Sequence, residues 1–226
     1  MTTINRPAGQ HASSLARAAL IRATALFVVA LGGGFWAIKA LAAKPISLPM
    51  ILLSALVAAG AIALARGEMT KRAKAAVGAR SERRVAKAIK SLGPDYLANS
   101  LMIGAGGDAD HTVIGPCLVV VETKTGHGEV RRQGGKLIAG RRTIPGDPVA
   151  QVRRQAAAVG KVTNSYCDAV VCISDGSFAP FETEHVTVCS LADLPRVLKS
   201  LPARLSSEQA GVLYQRLVDH EQRQAR

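Results

Sequence analysis

Acidic residues are missing from the opening of this chain: no Asp or Glu precedes Glu68. Over residues 1–65 the only charges are Arg6, Arg17, Arg22, Lys39 and Lys44, and removing those five from the overall +13 leaves +8 on the remainder. An acid-free, apolar opening followed by a mixed charged sequence divides the chain near residue 67. Aromatic residues are scarce as well, at 4%, which argues against a platform for stacking single-stranded bases. The basic remainder favours an anionic partner, with duplex nucleic acid ahead of anionic lipid. Cys117, Cys167, Cys172 and Cys189 form no CxxC pair and sit among Val, Ile and Leu. They read as reduced core residues rather than disulfides or zinc ligands. There is no Gly-x-Ser-x-Gly elbow. The cluster Gly104-Ala105-Gly106-Gly107 lacks the Lys-Ser/Thr of a phosphate loop and reads as a turn.

What the opening does contain is two long apolar runs. Ala23 to Ile38 carries no charge, continuing to Ala43 if Lys39 snorkels to an interface, and Pro45 to Ala65 carries none at all. Each is near the ~20 residues that a helix needs to cross a bilayer. The short connection Ala42-Ala43-Lys44 predicts a transmembrane helical hairpin over 23–65, with Gly32, Gly33 and Gly34 facing Ala55, Ala59 and Gly60 for close packing. Three Arg before the first run, and Arg66, Lys71, Arg72 and Lys74 after the second, predict that both ends face the cytoplasm at the inner membrane. Ala40-Leu41-Ala42 also resembles a signal-peptide cleavage site, which is the competing reading. The remaining divisions are a cytoplasmic segment 1–22, a basic linker helix 66–77, a domain 78–190 and C-terminal helices 191–226.

Within the charged part, Glu82, Val85, Ala86, Ile89 and Leu92 recur at helical spacing, so Glu82 is an acid on an apolar stripe. Burying it would cost desolvation unless a metal, a base or a hydrogen-bond network compensates. The bland alternative is a surface salt bridge. Tyr96–Ile103 reads as a strand. Asp110–Ile114 and Leu118–Lys124 read as a hairpin around Gly115-Pro116. A three-residue loop, Gly115 to Cys117, would pair Ile114 with Leu118 and set Asp110 opposite Glu122; any odd loop keeps the two acids on one face. Two facing carboxylates repel unless a cation lies between them, and oxygen ligands suit Mg²⁺ or Mn²⁺. Lys124, on the same face, could stabilise a phosphoryl group or orient water. His111 points to the other face and His127 lies beyond it, without clean zinc spacing. Arg131, Arg132, Lys136, Arg141, Arg142, Arg153 and Arg154 then form a basic segment suited to tracking phosphates. Asp147-Pro148 is a helix start, placing Gln151 in the first turn. Cys167–Ile173 and Val186–Cys189 read as further strands, and Leu191–Leu201 and Ser207–His220 as closing helices.

The series Gly78…Glu82…Val85, Asp110-His111-Thr112-Val113-Ile114-Gly115-Pro116, Val121-Glu122-Thr123-Lys124-Thr125-Gly126 and Asp147-Pro148-Val149-Ala150-Gln151 resembles the nuclease-related domain (NERD). This is a branch of the restriction-endonuclease-like PD-(D/E)xK superfamily. The resemblance implies an α/β fold with a mixed central sheet flanked by helices, here preceded by two transmembrane helices. It makes Asp110 and Glu122 metal ligands, Lys124 the catalytic base, Glu82 a supporting acid at the metal and Gln151 a positioning group. Thr125 departs from the Asn often found there. The function so implied is an Mg²⁺- or Mn²⁺-dependent DNA endonuclease, and cutting both strands would imply a homodimer. The competing functions are a non-cleaving membrane tether that binds DNA or protein, and a membrane-assembly protein with its basic surface on lipid.

Overall fold

The structure is a computed structural model that describes residues 10–42, 48–93, 95–102 and 108–224. It divides into two compact units, Gln10–Ala79 and Arg80–Arg226.

The first unit consists of α1 (Gln10–Ala42) and the greater part of α2 (Leu48–Lys90). One helix, over Arg17–Trp36, is long and apolar enough to cross a membrane; among the described residues no second one qualifies. The expected hairpin turn at 43–47 lies outside the described residues. Phe27, Val28, Leu31, Trp36 and Ile38 on α1 and Leu52, Leu53, Leu56 and Leu64 on α2 are all exposed. Among the described residues of this unit the buried positions are alanines: Ala19, Ala23, Ala30, Ala61 and Ala79. Close packing of small residues is not seen at three of the expected positions: a methyl group at Gly32, Gly34 or Gly60 would meet nothing within 4 Å. Nor is there a separate linker helix, because α2 runs unbroken through 66–77. Its Ala-rich sequence tolerates isolated glycines at about 1 kcal/mol each. The helix ends where Leu92 N–H reaches back to Ile89 O at 3.0 Å and Gly93 takes up φ +114°, a conformation that favours glycine.

The second unit is built on a six-stranded mixed sheet. In chain order its elements are β1 (Leu97–Met102), β2 (Asp108–Ile114), β3 (Leu118–Gly128), β4 (Val130–Gln133), β5 (Lys136–Ala139), β6 (Arg142–Thr143), α3 (Pro148–Thr163), β7 (Asp168–Gly176), β8 (Phe181–Thr183), β9 (Val186–Ser190), α4 (Leu194–Ser200) and α5 (Ser207–Gln224). The sheet order is β1-β2-β3-β7-β9-β8, with β3, β7 and β9 parallel and the other pairs antiparallel. The parallel pairing follows from the α3 crossover, since parallel neighbours need a long connection. The Gly104–Gly107 turn lies outside the described residues.

Alternation along β3 sends its side chains to two cores. Leu118 and Val120 join Val149, Val152, Ala156, Leu213 and Leu217 of α3 and α5. Val119 and Val121 join Val85 and Ile89 of α2 and Leu194, Val197 and Leu198 of α4. Fully burying one such Val or Leu contributes about 1.5–3 kcal/mol. The closing helices are therefore part of the same compact unit as the sheet.

The basic segment after β3 folds into a small three-stranded sheet, β4-β5-β6, where the sequence suggested only a charged stretch. Its turns use Gly134 (φ +56°), Gly135 (φ +75°) and Gly140 (φ +59°). It sits close on β3: a methyl on Gly126 would lie 2.8 Å from Ala139 Cβ and 3.1 Å from Ile173 Cγ2.

Candidate active site

The β2–β3 loop has the length that the two acids require. Ile114 pairs with Leu118 and His111 with Val121; the paired register stops there, β2 is irregular against β1 between Thr112 and Ala109, and Asp110 meets β3 through the Thr123 N–H. The loop closes with Gly115 N–H donating to Cys117 O at 2.9 Å. Gly115 admits no side chain, since a methyl there would lie 2.8 Å from Tyr96 Cδ1 and 3.0 Å from Asp95 O.

Beyond Val120, the face of β3 that builds the α3-side core turns from apolar to charged. Glu122 is 1% exposed. Its Oε1 accepts from Lys124 Nζ at 2.5 Å, and its Oε2 accepts from Gln155 Nε2 at 3.0 Å. Lys124 Nζ also donates to Gln151 Oε1 at 3.2 Å. Gln151 and Gln155 lie one helical turn apart, so α3 meets Lys124 and Glu122 with one amide each. The helix is held by its cap: Ala150 N–H donates to Asp147 Oδ1 at 3.0 Å and Pro148 occupies the first turn.

Asp110 is half-buried, and Thr123 N–H donates to its Oδ2 at 2.7 Å. Its carboxyl is pushed up to about 8, first by burial, then by the charge of Glu122 and, more weakly, by that of Glu82; the Thr123 N–H and Lys124 oppose the shift. Glu82 is thus close enough to act on Asp110 electrostatically. Its neighbours fix its place. The Ser81 hydroxyl bonds Thr125 Oγ1 at 3.0 Å and accepts from Ser174 Oγ at 3.0 Å. Two residues past Glu82 on the other side, Arg84 pairs with Asp175.

His111 is buried on the opposite face, where burial pushes its imidazole down to about 4 and keeps it neutral. Its Nε2 has no hydrogen-bond partner among the described residues. His127 is exposed. The four cysteines are free thiols. Cys172 and Cys189 lie side by side in register on β7 and β9, and their mutual hydrogen bond together with burial raises the Cys172 thiol well above its usual range.

The six arginines of the basic segment differ in their partners. Arg132 and Arg153 both bind Glu184, the latter at 2.8 Å, and Arg132 also donates to Thr183 Oγ1. Arg131, Arg141, Arg142 and Arg154 are exposed, without an acidic partner among the described residues. Gln155, Ser81 and Glu184 are the polar participants that the sequence reading passed over. Only Gln155 left a local signal, its four-residue spacing from Gln151.

The chemistry open to this arrangement is that of crowded carboxylates beside one lysine. Among the described residues no three His, Cys, Asp or Glu side chains form a ready metal cluster. A hard cation such as Mg²⁺ does not need three, since one or two carboxylates with water suffice. The all-oxygen donors and the strained protonation of Asp110 fit such an ion.

Comparison with known proteins gives one match. Residues 77–174 match the family model described as the nuclease-related domain. No curated protein and no solved structure matches the chain.

Proposed function

We propose that this chain, which carries a nuclease-related domain over residues 77–174, is a metal-dependent nuclease held at the cytoplasmic face of a membrane and hydrolysing phosphodiesters of duplex DNA. The observation that carries the reading is the acid pair. Glu122 bonds Lys124 directly, and burial, followed by the charge of Glu122, lifts the Asp110 carboxyl to about 8. A structural site would have replaced one acid, because an unbalanced buried charge is costly. Perturbed carboxyls in such a setting mark functional sites more often than structural ones.

Asp110 and Glu122 would hold the cation, with Glu82 facing it from α2. When bound, a divalent ion supplies Lewis acidity toward the phosphodiester and neutralises the acids. The protein's own groups do the positioning. Gln155 fixes the rotation of the Glu122 carboxylate. Lys124 has three donors, and with two engaged by Glu122 and Gln151 the third remains for a phosphoryl oxygen or the attacking water. Arg131, Arg141, Arg142 and Arg154 supply cations for the flanking backbone.

The anchor in this reading is a two-span hairpin over 23–65 with both chain ends cytoplasmic. Its support is the apolar surface that α1 and the start of α2 expose, which water would not tolerate on this scale. The alternative function is a non-cleaving tether. It is favoured by the hydrogen bond that each Glu122 oxygen already accepts within the protein.

One experiment tests these together. The full chain is recovered from carbonate-washed membranes and incubated with supercoiled plasmid, with and without Mg²⁺ or Mn²⁺, beside Glu122→Ala and Lys124→Ala. Metal-dependent nicking should fall by about 10²–10³-fold or more in either variant. Plasmid binding by all forms with no nicking under any metal would leave the tether, and release of the chain into the wash would end the anchor.

A further inference from the structure

Two arginines from different elements converge on Glu184. Arg132 comes from β4 and Arg153 from α3, and each takes a different carboxylate oxygen. Arg132 also reaches the neighbouring Thr183 hydroxyl. The result is an oxyanion held by two guanidiniums, the arrangement that proteins use for phosphate as readily as for carboxylate.

The backbone under Glu184 points the same way. Thr183 pairs with Val186, so β8 and β9 are joined by only two residues, Glu184 (φ +50°) and His185 (φ +62°). A two-residue turn with both φ values positive favours Asn, Asp and Gly. Glu184 is a poor conformational choice there, which indicates that its side chain, rather than the turn, accounts for it. Beside the turn opens a cavity of about 750 Å³, lined by Arg153, Arg154, Tyr166, Glu184 and His185 among others. Two arginines against one acid in its lining leave this cavity cationic even with Glu184 in place.

We propose that Arg132 and Arg153 form a binding site for a phosphate of the nucleic-acid backbone, and that Glu184 occupies this site in the free protein as a stand-in that the substrate displaces. This deepens the nuclease reading and rests on it for the identity of the ligand. Displacement is feasible because the contact is at the surface: Glu184 is 41% exposed and its arginines 28% and 50%, and exposed ion pairs are weak and screened. A polyanion brings many phosphates to the site at once, whereas Glu184 offers a single charge. The carboxylate also acts as a filter, since an isolated small anion gains too little to replace it.

The test is binding of a short labelled DNA duplex by the full chain in neutral detergent with EDTA, so that no cleavage intervenes. Glu184→Gln and, as a second variant, Glu184→Ala should bind about three- to tenfold tighter, with a log K against log salt slope steeper by about one. Arg132→Gln and Arg153→Gln should bind more weakly, and Glu184→Gln should bring no gain when combined with Arg132→Gln. Unchanged or weaker binding by both Glu184 variants, with wild-type binding intact, would overturn the proposal and leave the nuclease reading standing. Absence of duplex binding by any form would remove both. Tightening toward short-chain phosphatidylglycerol but not toward the duplex would also overturn it, by naming the wrong polyanion.

Discussion

The two sides of β3 carry polar clusters of opposite character. Toward α3, Asp110, Glu122 and Lys124 are crowded and charged, with one carboxyl lifted to about 8. Toward α2, Ser81, Thr125 and Ser174 share neutral hydrogen bonds, and the nearby Asp175 is matched by Arg84. Burial raises the Asp175 carboxyl, but hydrogen bonds from Arg84 and Ser174 outweigh it and leave it below the usual range. Neighbouring residues of one strand thus serve different ends: Thr125 belongs to a satisfied scaffold, and Lys124 to a site that the fold tolerates at some expense. Such local inconsistency is where function is expected to reside.

The largest effect that would sharpen this contrast is on Gln155. Replacing it with Leu keeps its volume in the core but withdraws the donor from Glu122, and nicking should fall about 10–100-fold, as for other groups that orient a metal-binding carboxylate. Retention of full activity would mean that the amide is mere filler.

Next comes Asp110, through the pH dependence of stability. Its pKa is raised in the folded state, so between about 4 and 8 the folded chain holds a proton that the unfolded chain has lost, and stability falls as pH rises. His111 acts with the opposite sign: lowered to about 4 when folded, it makes stability rise with pH up to about 6.5. The two offset each other below about 6.5, leaving an uncovered fall of about 2 kcal/mol between 6.5 and 8. Asp110→Asn should abolish that fall and be the more stable protein at pH 8. Urea unfolding in EDTA measures both; parallel curves for the two proteins would refute the strain assigned to the acid pair.

The smallest effect belongs to the satisfied side. Ser81→Ala should lower stability by about 1 kcal/mol at every pH from 6.5 to 8, with no change of slope. A pH-dependent loss would show that the two clusters are coupled across the strand.

These contrasts were partly legible in the sequence. Gly115-Pro116 set the loop, and the loop set the register from Ile114 with Leu118 to His111 with Val121; each step is local, spanning a dozen residues. Asp147-Pro148 fixed the start of α3 and so the place of Gln151. What stayed hidden depended on distant partners. Glu184 meets Arg153 and Arg132 across 31 and 52 residues, and no periodicity marks such a pair. The β4-β5-β6 sheet was obscured by strands of two to four residues separated by glycine turns. The single helix α2 was obscured by a change of composition, from apolar to basic, that helix geometry does not register.

The parallel pairing of β3 with β7 has a consequence in time. The β2–β3 hairpin joins residues close in sequence, whereas β3 meets β7 across about fifty residues, from Val119 with Asp168 onward, and such long closures come late in folding. The two acids can therefore meet while still in water, at little electrostatic penalty. Only when α3 and β7 close over them are they dried, so the strain is imposed by the final docking step. A half-made chain, even with its acids assembled, lacks Gln151 and Gln155 and has no reason to hold a proton on Asp110. The site acquires its chemistry and its instability in the same event.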